Sequence, residues 1–271
     1  MKKFVRYTDT HLNFAWSWER RRFAAMLVDE RPDGILLTGD ISDGRLLVAH
    51  LNELAANLAC PIYFVLGNHD FWHKGFEQTY AEVQKMTAKT PNLIWLTLSP
   101  VISLTEDVAL VGTEGWYDGL AANPRYLDLT WDWLNIKELR HLTRLARLDY
   151  YRELSRLEAV RMEDKLRAAV VGHKEIVVMT HIPPWAEAAP VKTPILSHFK
   201  VFRDCWTAYD VSVHMGQSIE RVAKEFPEKK FRVLAGHTHV QTWVQVAPNI
   251  EVHVNRAKYL GKPGDAEHLI L

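Results

Sequence analysis

Short apolar runs alternate with amphipathic stretches from the first residues onward. Residues 3–8 (Lys-Phe-Val-Arg-Tyr-Thr) read as a strand that stops at Asp9, and residues 17–30 read as a helix with Ser17 at its N-cap. Ile35–Thr38 is a second apolar strand, stopping at Gly39-Asp40. A Leu- and Ala-rich helix follows over 44–59 and ends at Cys60-Pro61. Ile62–Leu66 is a third strand, stopping at Gly67-Asn68. This alternation predicts an α/β fold with parallel strands. From 93 to 113 the pattern changes: Leu93–Leu96, Val101–Leu104 and Val108–Gly112 follow one another so closely that they suggest a meander. Residues 114–135 are irregular and aromatic. Residues 136–169 read as a long helix, with Leu139, Leu142, Leu145, Leu148, Leu154 and Leu157 on or near one stripe and six Arg off it. Strands then return at Glu175–Thr180 and Phe231–Ala235. Thr242–Val246 and Ile250–Val254 predict a hairpin turning at Pro248-Asn249.

Length and composition narrow the class. The 271 residues are 48% hydrophobic, enough for one large core, and no repeat or linker divides them. A single domain over 1–271 is therefore expected, with an aromatic and helical insertion at about 116–169. Formal net charge is zero, so no global basic field argues for nucleic acid. The two cysteines, Cys60 and Cys205, do not make a disulfide framework. The N-terminus runs straight into a strand without an apolar leader, and no apolar stretch reaches about 18 residues. A cytoplasmic protein without a membrane span is expected.

The chemistry sits where the strands stop. Five motifs occur in order: Asp9-Thr10-His11, Gly39-Asp40, Gly67-Asn68-His69-Asp70, Thr180-His181 and Gly236-His237-Thr238-His239. Hard and borderline divalent metals take this mixture of carboxylate, amide oxygen and imidazole. In extended chain, residues two apart point the same way, so Asp9 with His11, and His237 with His239, can each grip one metal or straddle two. Each motif alone is weak. Five together at strand ends point to a two-metal site with a spare group for acid–base work, hence to a hydrolase of phosphate esters.

These motifs resemble the calcineurin-like metallophosphoesterase superfamily, whose pattern is D-x-H, G-D-x-x-D, G-N-H-[DE], a lone His and G-H-x-H. The resemblance covers roughly residues 3–255. It implies a four-layer α/β/β/α sandwich with a dimetal site at the strand C-terminal ends. It also implies that Asp9, His11 and His239 hold one metal, that Asn68, His181 and His237 hold the other, and that Asp40 bridges them. His69 would stabilise or protonate the leaving oxygen, with Asp70 orienting it. Two metals roughly 3.5–4 Å apart would activate a shared water, and the bridging hydroxide would attack phosphorus in line. Mn, Fe, Zn or Ni suits these ligands, with Mn the ion expected in vitro.

Other residues carry open readings. Asp43 and Asp70 can serve as turn or cap residues or support the site. Arg45 reads as a solvated helix start, with phosphate contact as its alternative. His73 could reach substrate. The aromatic segment with Trp116, Tyr117, Tyr126, Trp131 and Trp133 is either a surface flap packed on itself or a pocket wall that stacks on a ring. The Arg-bearing helix reads as a solvated amphipathic helix with charge pairs, a nucleic-acid or membrane face being its alternative. Gly-Asp-Ile-Ser-Asp-Gly-Arg and Gly-Asn-His-Asp depart from the G-D-x-V-D-R-G and G-N-H-E of the superfamily's protein phosphatases. A small-molecule or nucleotide monoester or diester is the expected substrate. The alternatives are a nuclease, a protein phosphatase, or a noncatalytic scaffold on the same fold.

Overall fold

The computed structural model describes residues 1–122, 130–190, 199–257 and 266–271. Strand β1 (Lys3–Tyr7) leads to α1 (Ser17–Asp29), β2 (Gly34–Thr38), α2 (Leu47–Asn57), β3 (Ile62–Val65), α3 (Phe76–Thr87) and β4 (Leu93–Trp95). Next come β5 (Ile102–Ser103), β6 (Val108–Gly112), the one-turn α4 (Asp132–Asn135), the long α5 (Arg144–Gly172) and β7 (Glu175–Met179). The chain closes with α6 (Lys200–Asp210), α7 (Val213–Glu225), β8 (Lys230–Ala235), β9 (Thr242–Ala247), β10 (Ile250–Val254) and β11 (Glu267–Ile270).

The strands form two sheets. The first has the order β11-β1-β2-β3-β4, and the second β5-β6-β7-β8-β10-β9. The inner strands of both are parallel, while β11, β5 and β9 pair antiparallel at or beside the edges. Side-chain alternation explains the layering. On one face Phe4, Leu36, Tyr63 and Val65 meet Leu110, Val177, Met179 and Leu234 of the other sheet. On the opposite face Val5, Ile35, Leu37, Ile62 and Phe64 pack under the first three helices. Ala109, Val111, Ile176, Val178 and Val233 likewise pack under α5 and α7. The molecule is the expected α/β/β/α sandwich. Burial on both faces is why its strands read as continuous apolar runs.

One polar side chain ties the two sheets. Arg6 of β1 is fully buried. Its guanidinium donates to the Ala235 carbonyl of β8, to the His253 carbonyl of β10 at 3.2 Å and to Glu267 Oε2 of β11 at 2.6 Å. A buried cation needs such pairing to be tolerated.

Four expectations require correction. Ser17 is the first residue of α1 rather than its N-cap, which is Trp16, whose backbone N–H donates to Glu19 Oε2 at 2.8 Å. The pieces at 93–113 are not one meander. β4 extends the first sheet in parallel with β3, whereas β5 and β6 form an antiparallel pair in the second. The long helix begins at Arg144 rather than 136, where Thr143 accepts the Ala146 N–H as its N-cap. Its buried stripe is also not the row of leucines. Leu148, Tyr151, Ser155, Ala159, Met162, Leu166 and Ala169 face inward at helical spacing, while Leu145 and Leu157 are exposed. The β6–α5–β7 crossover needs a helix whose inner face fits the sheet, and small residues on that face let it approach closely. Helices α3, α6 and α7 and strand β11 lie outside the elements that the apolar pattern predicts.

Candidate metal centre

The five motifs leave the C-terminal ends of β1, β2, β3, β7 and β8, so the two sheets bring them to one edge of the sandwich. Ligands in open α/β sheets collect at such ends. The chain must turn sharply there to aim side chains inward. Asp9, His11, Asp40, His237 and His239 all take left-handed backbone, with φ of 48°, 42°, 49°, 68° and 57°. For residues other than glycine this conformation costs about 1–3 kcal/mol each, so the surrounding packing has to impose it.

Two groups of donors converge. In the first, the ligand atoms of Asp9, His11, Asp40 and His239 all lie within 4.8 Å of one another. His239 Nε2 is 3.1 Å from Asp9 Oδ1, and His11 Nε2 is 3.8 Å from Asp40 Oδ2. In the second, Asn68 Oδ1 is 3.2 Å from both His181 Nε2 and His237 Nδ1. His181 Nε2 is also 3.4 Å from Asp40 Oδ1. Asp40 therefore turns one carboxylate oxygen toward each group.

The outer atoms of His181, His237 and Asn68 are fixed by hydrogen bonds, as metal-binding imidazoles require of their second ring nitrogen. His181 Nδ1 donates to the Thr38 carbonyl at 2.9 Å, leaving Nε2 free toward the centre. His237 Nε2 faces Asp210 Oδ1 and the Tyr209 carbonyl, both at 3.2 Å, leaving Nδ1 inward. The His69 N–H donates to Asp40 Oδ1 at 2.8 Å, and the His237 N–H donates to Asp9. Asn68 Nδ2 donates to Asp132 Oδ1 at 2.9 Å and Oδ2 at 3.2 Å.

Electrostatics favour a cation. Burial works to raise the Asp9 and Asp40 carboxyls, yet neighbouring histidines hold both below the usual carboxylate range: His239 and His181 for Asp9, and His181, His69 and His11 for Asp40. Burial lowers His11 and pulls His69 down to about 3. His181 is the exception: burial opposes its charge, but Asp40 and Asp9 raise it to about 9. Two carboxylates, four imidazoles and an amide oxygen are the donor chemistry of a borderline divalent ion, so the residues present fit a metal pair.

The remaining candidates separate. The His69 ring stacks on Trp72 at 3.6 Å between centroids, with Nε2 3.8 Å from Asp40 Oδ2. Asp70 does not touch that ring. Its carboxylate accepts the Ile41, Ser42 and Gly67 N–H groups, which locks the β2 and β3 loops together, while the ring that packs on His69 is Trp72. Burial and the nearby Asp40 charge push Asp70 above the carboxylate range. Asp43 accepts the Arg45 and Leu46 N–H groups and caps the turn into α2, and the exposed Arg45 pairs with it. His73 is exposed, and its N–H goes to the Asn135 carbonyl.

The aromatic segment divides too. Trp116 and Tyr117 are core residues packed on Phe71, Phe76, Tyr151 and Tyr209. Tyr126 lies outside the described residues. Trp133 is half-buried beneath the Arg147 guanidinium, 4.9 Å from its ring. Trp131 is 66% exposed and stands at the rim of a cavity of about 150 Å³ over the centre. Trp72, Trp206 and Tyr209 also line it, with His69, Asp132 and Asp210. A larger groove of about 240 Å³ lies at the opposite strand ends, beside Glu175 and Lys230, and contains none of the motif residues. Sequence reasoning missed Asp132, Asp210 and Trp206. No local signal marks them, because each acquires its role only through contacts made across the fold.

Comparison with known proteins agrees with this fold. The family described as calcineurin-like phosphoesterase matches residues 2–241. No curated protein sequence matches the chain. Among solved structures, a phosphopantetheinyl hydrolase from Mycobacterium tuberculosis is similar at TM-score 0.61 and 11% identity, covering 99% of this chain and 95% of that one. A dimetal phosphatase from Danio rerio is similar at TM-score 0.55 and 12% identity, covering 94% and 87%. The Plasmodium protein described as GAP50, the anchor in the inner membrane complex, is similar at TM-score 0.51 and 12% identity, covering 94% and 71%. At these identities the likeness is one of fold.

Proposed function

We propose, from the premise that the chain belongs to the calcineurin-like phosphoesterase family, that it hydrolyses phosphate mono- or diesters of a small molecule or nucleotide at a dinuclear metal centre. Asp9, His11 and His239 would hold one ion, Asn68, His181 and His237 the other, and Asp40 both. The observation that carries this reading is the placement of one Asp40 oxygen against each donor group. Divalent ions bound there supply Lewis acidity for the phosphoryl oxygens and a water of lowered pKa. Mn is the ion we expect to support activity in vitro.

The chain's own residues account for the remaining steps. His69 lines the cavity with Nε2 3.8 Å from Asp40 Oδ2, so its ring is placed to hydrogen-bond the leaving oxygen. Asp70 keeps the loops carrying Asp40 and Asn68 in register and so acts on catalysis through them. Among the described lining residues none is Lys or Arg, which leaves phosphoryl charge to the ions. The aromatic walls favour a leaving group with a planar or apolar body over a polyphosphate.

We read residues 1–271 as one domain in which the segment at about 116–169 supplies Trp131 and Asp132 to the site and α5 to the outer layer. Two free thiols support a reducing, cytoplasmic setting. Among the described residues no helix is long and apolar enough to cross a membrane.

The test is release of p-nitrophenol from bis-p-nitrophenyl phosphate and p-nitrophenyl phosphate after chelation and Mn²⁺ readdition, with Asp40→Ala as control. Mn²⁺-dependent turnover lost in the variant is expected. Failure of the wild type to bind metal or to turn over any phosphoester would refute the reading in favour of a scaffold.

A further inference from the structure

Asp132 makes a pattern of contacts that the ligand set does not explain. It lies on the short helix α4, far in sequence from every motif, and is 1% exposed. Three donors from two separate stretches of chain converge on it: Asn68 Nδ2 at 2.9 Å and Trp72 Nε1 at 2.6 Å from the loop after β3, and Tyr117 Oη at 2.6 Å. Two of these donors belong to residues with a place in the centre. Asn68 presents Oδ1 to His181 and His237, and Trp72 carries the His69 ring on its face.

A primary amide has two ends of nearly equal size and opposite polarity, one accepting and one donating. Nothing in Asn68 itself selects which end faces the imidazoles. A carboxylate behind it does: Nδ2 turns to Asp132, and Oδ1 is left toward the inner nitrogens of His181 and His237. The reversed amide would set its oxygen against a carboxylate and its N–H bonds toward the position a cation has to share. Trp72 is held in a similar way. Its indole N–H is anchored at the edge of the ring system, which fixes the plane on which His69 stacks.

We propose that Asp132 is a positioning residue of the centre, fixing the Asn68 amide oxygen toward the metal position and the Trp72 platform beneath His69. The proposal rests on the reading of the centre as a metal site. In this role Asp132 acts through Asn68 and Trp72, whose side-chain N–H groups its carboxylate accepts. Partners of this kind typically alter metal affinity by about 10–100-fold.

The variants separate positioning from bulk. Asp132→Asn keeps one oxygen to accept from Asn68 and Trp72, and its amide nitrogen can donate to the Tyr117 hydroxyl oxygen. Asp132→Ala removes the acceptor, and Asp132→Leu removes it while keeping the volume. Tyr117→Phe loses a donor to Asp132 but leaves the Asn68 contact intact. Full-length proteins are stripped of metal and titrated with Mn²⁺, reading stoichiometry by elemental analysis and the coupled two-ion signal by electron paramagnetic resonance. Thermal unfolding in chelator reports folding separately.

The wild type is expected to bind two Mn²⁺. Asp132→Ala is expected to bind one ion normally and the other about 10–100-fold more weakly, with the coupled signal lost. Asp132→Asn and Tyr117→Phe are expected to stay near the wild type. If the alanine variant does not fold, the leucine variant decides by the same criterion. Wild-type affinity for both ions in the variant lacking the acceptor would overturn the proposal, as would equal weakening of both ions. A wild type that takes up no Mn²⁺ would overturn the metal reading itself, and the proposal with it.

Discussion

Gly67 offers a sharp steric test of the centre. Its backbone is extended, with φ −109° and ψ 178°, so alanine meets no conformational penalty there. The cost comes from space alone. An added Cβ would lie 2.3 Å from Asp40 Oδ1, 2.4 Å from the Asp40 backbone nitrogen and 2.8 Å from His181 Nε2. Ordinary van der Waals contact begins at 3.4 Å, so the carboxylate would have to give way by about 1 Å. Asp40 has little freedom to do so, because Oδ1 also accepts the His69 N–H and its own backbone follows the left-handed Gly39. A displacement of about 1 Å in a reacting constellation costs on the order of 100-fold in rate, equivalent to roughly 2.7 kcal/mol of transition-state stabilisation. Overpacking adds a stability loss of about 1–3 kcal/mol. Gly67→Ala is therefore expected to lower kcat/KM for bis-p-nitrophenyl phosphate at saturating Mn²⁺ by about two orders of magnitude and to lower Tm by several degrees. Gly172→Ala is the matched control: nothing lies within 4 Å of its Cβ, so activity should not change. Activity of Gly67→Ala within threefold of the wild type, with Tm unchanged, would refute the geometry on which the centre is built.

Two further outcomes are expected. His69→Asn should lower kcat at least tenfold while two Mn²⁺ remain bound, because His69 lies beside both donor groups without completing either; loss of metal in that variant would make it a ligand instead. The Arg6–Glu267 tie should give an acid-dependent stability term. Burial acts to raise Glu267, but the hydrogen bond with His253 and the Arg6 charge bring it down to about 2, below an unfolded value of about 4.3. Its stabilisation is therefore complete above about pH 4.3 and is lost as the pH falls toward 2. In urea titrations of the metal-free proteins, wild type should exceed Glu267→Gln at pH 7, and the gap should close by about pH 2. A gap that stays constant across that range would show that Glu267 does not titrate as proposed.

The sequence by itself determined which strands carry the chemistry. Strands buried on both faces need continuous apolar runs, and these runs stand out where they stop at Asp9, Asp40, Asn68, His181 and His237. It also marked the candidate donors, because few residue types can hold a borderline divalent ion. Tertiary structure decided the rest. Whether 93–113 was one meander depended on which sheet each piece could pair with, and backbone pairing leaves little local trace. The last strand, β11, is recognisable only beside β1 and Arg6. Trp116 and Trp131 look alike in sequence, yet one fills the core and the other rims the cavity. The four acids Asp43, Asp70, Asp132 and Asp210 show the same limit: one caps a turn, one clamps two loops, one orients an amide and one holds an imidazole. A carboxylate's role follows from the donors brought within about 3 Å of it, and folding places those donors from distant parts of the chain.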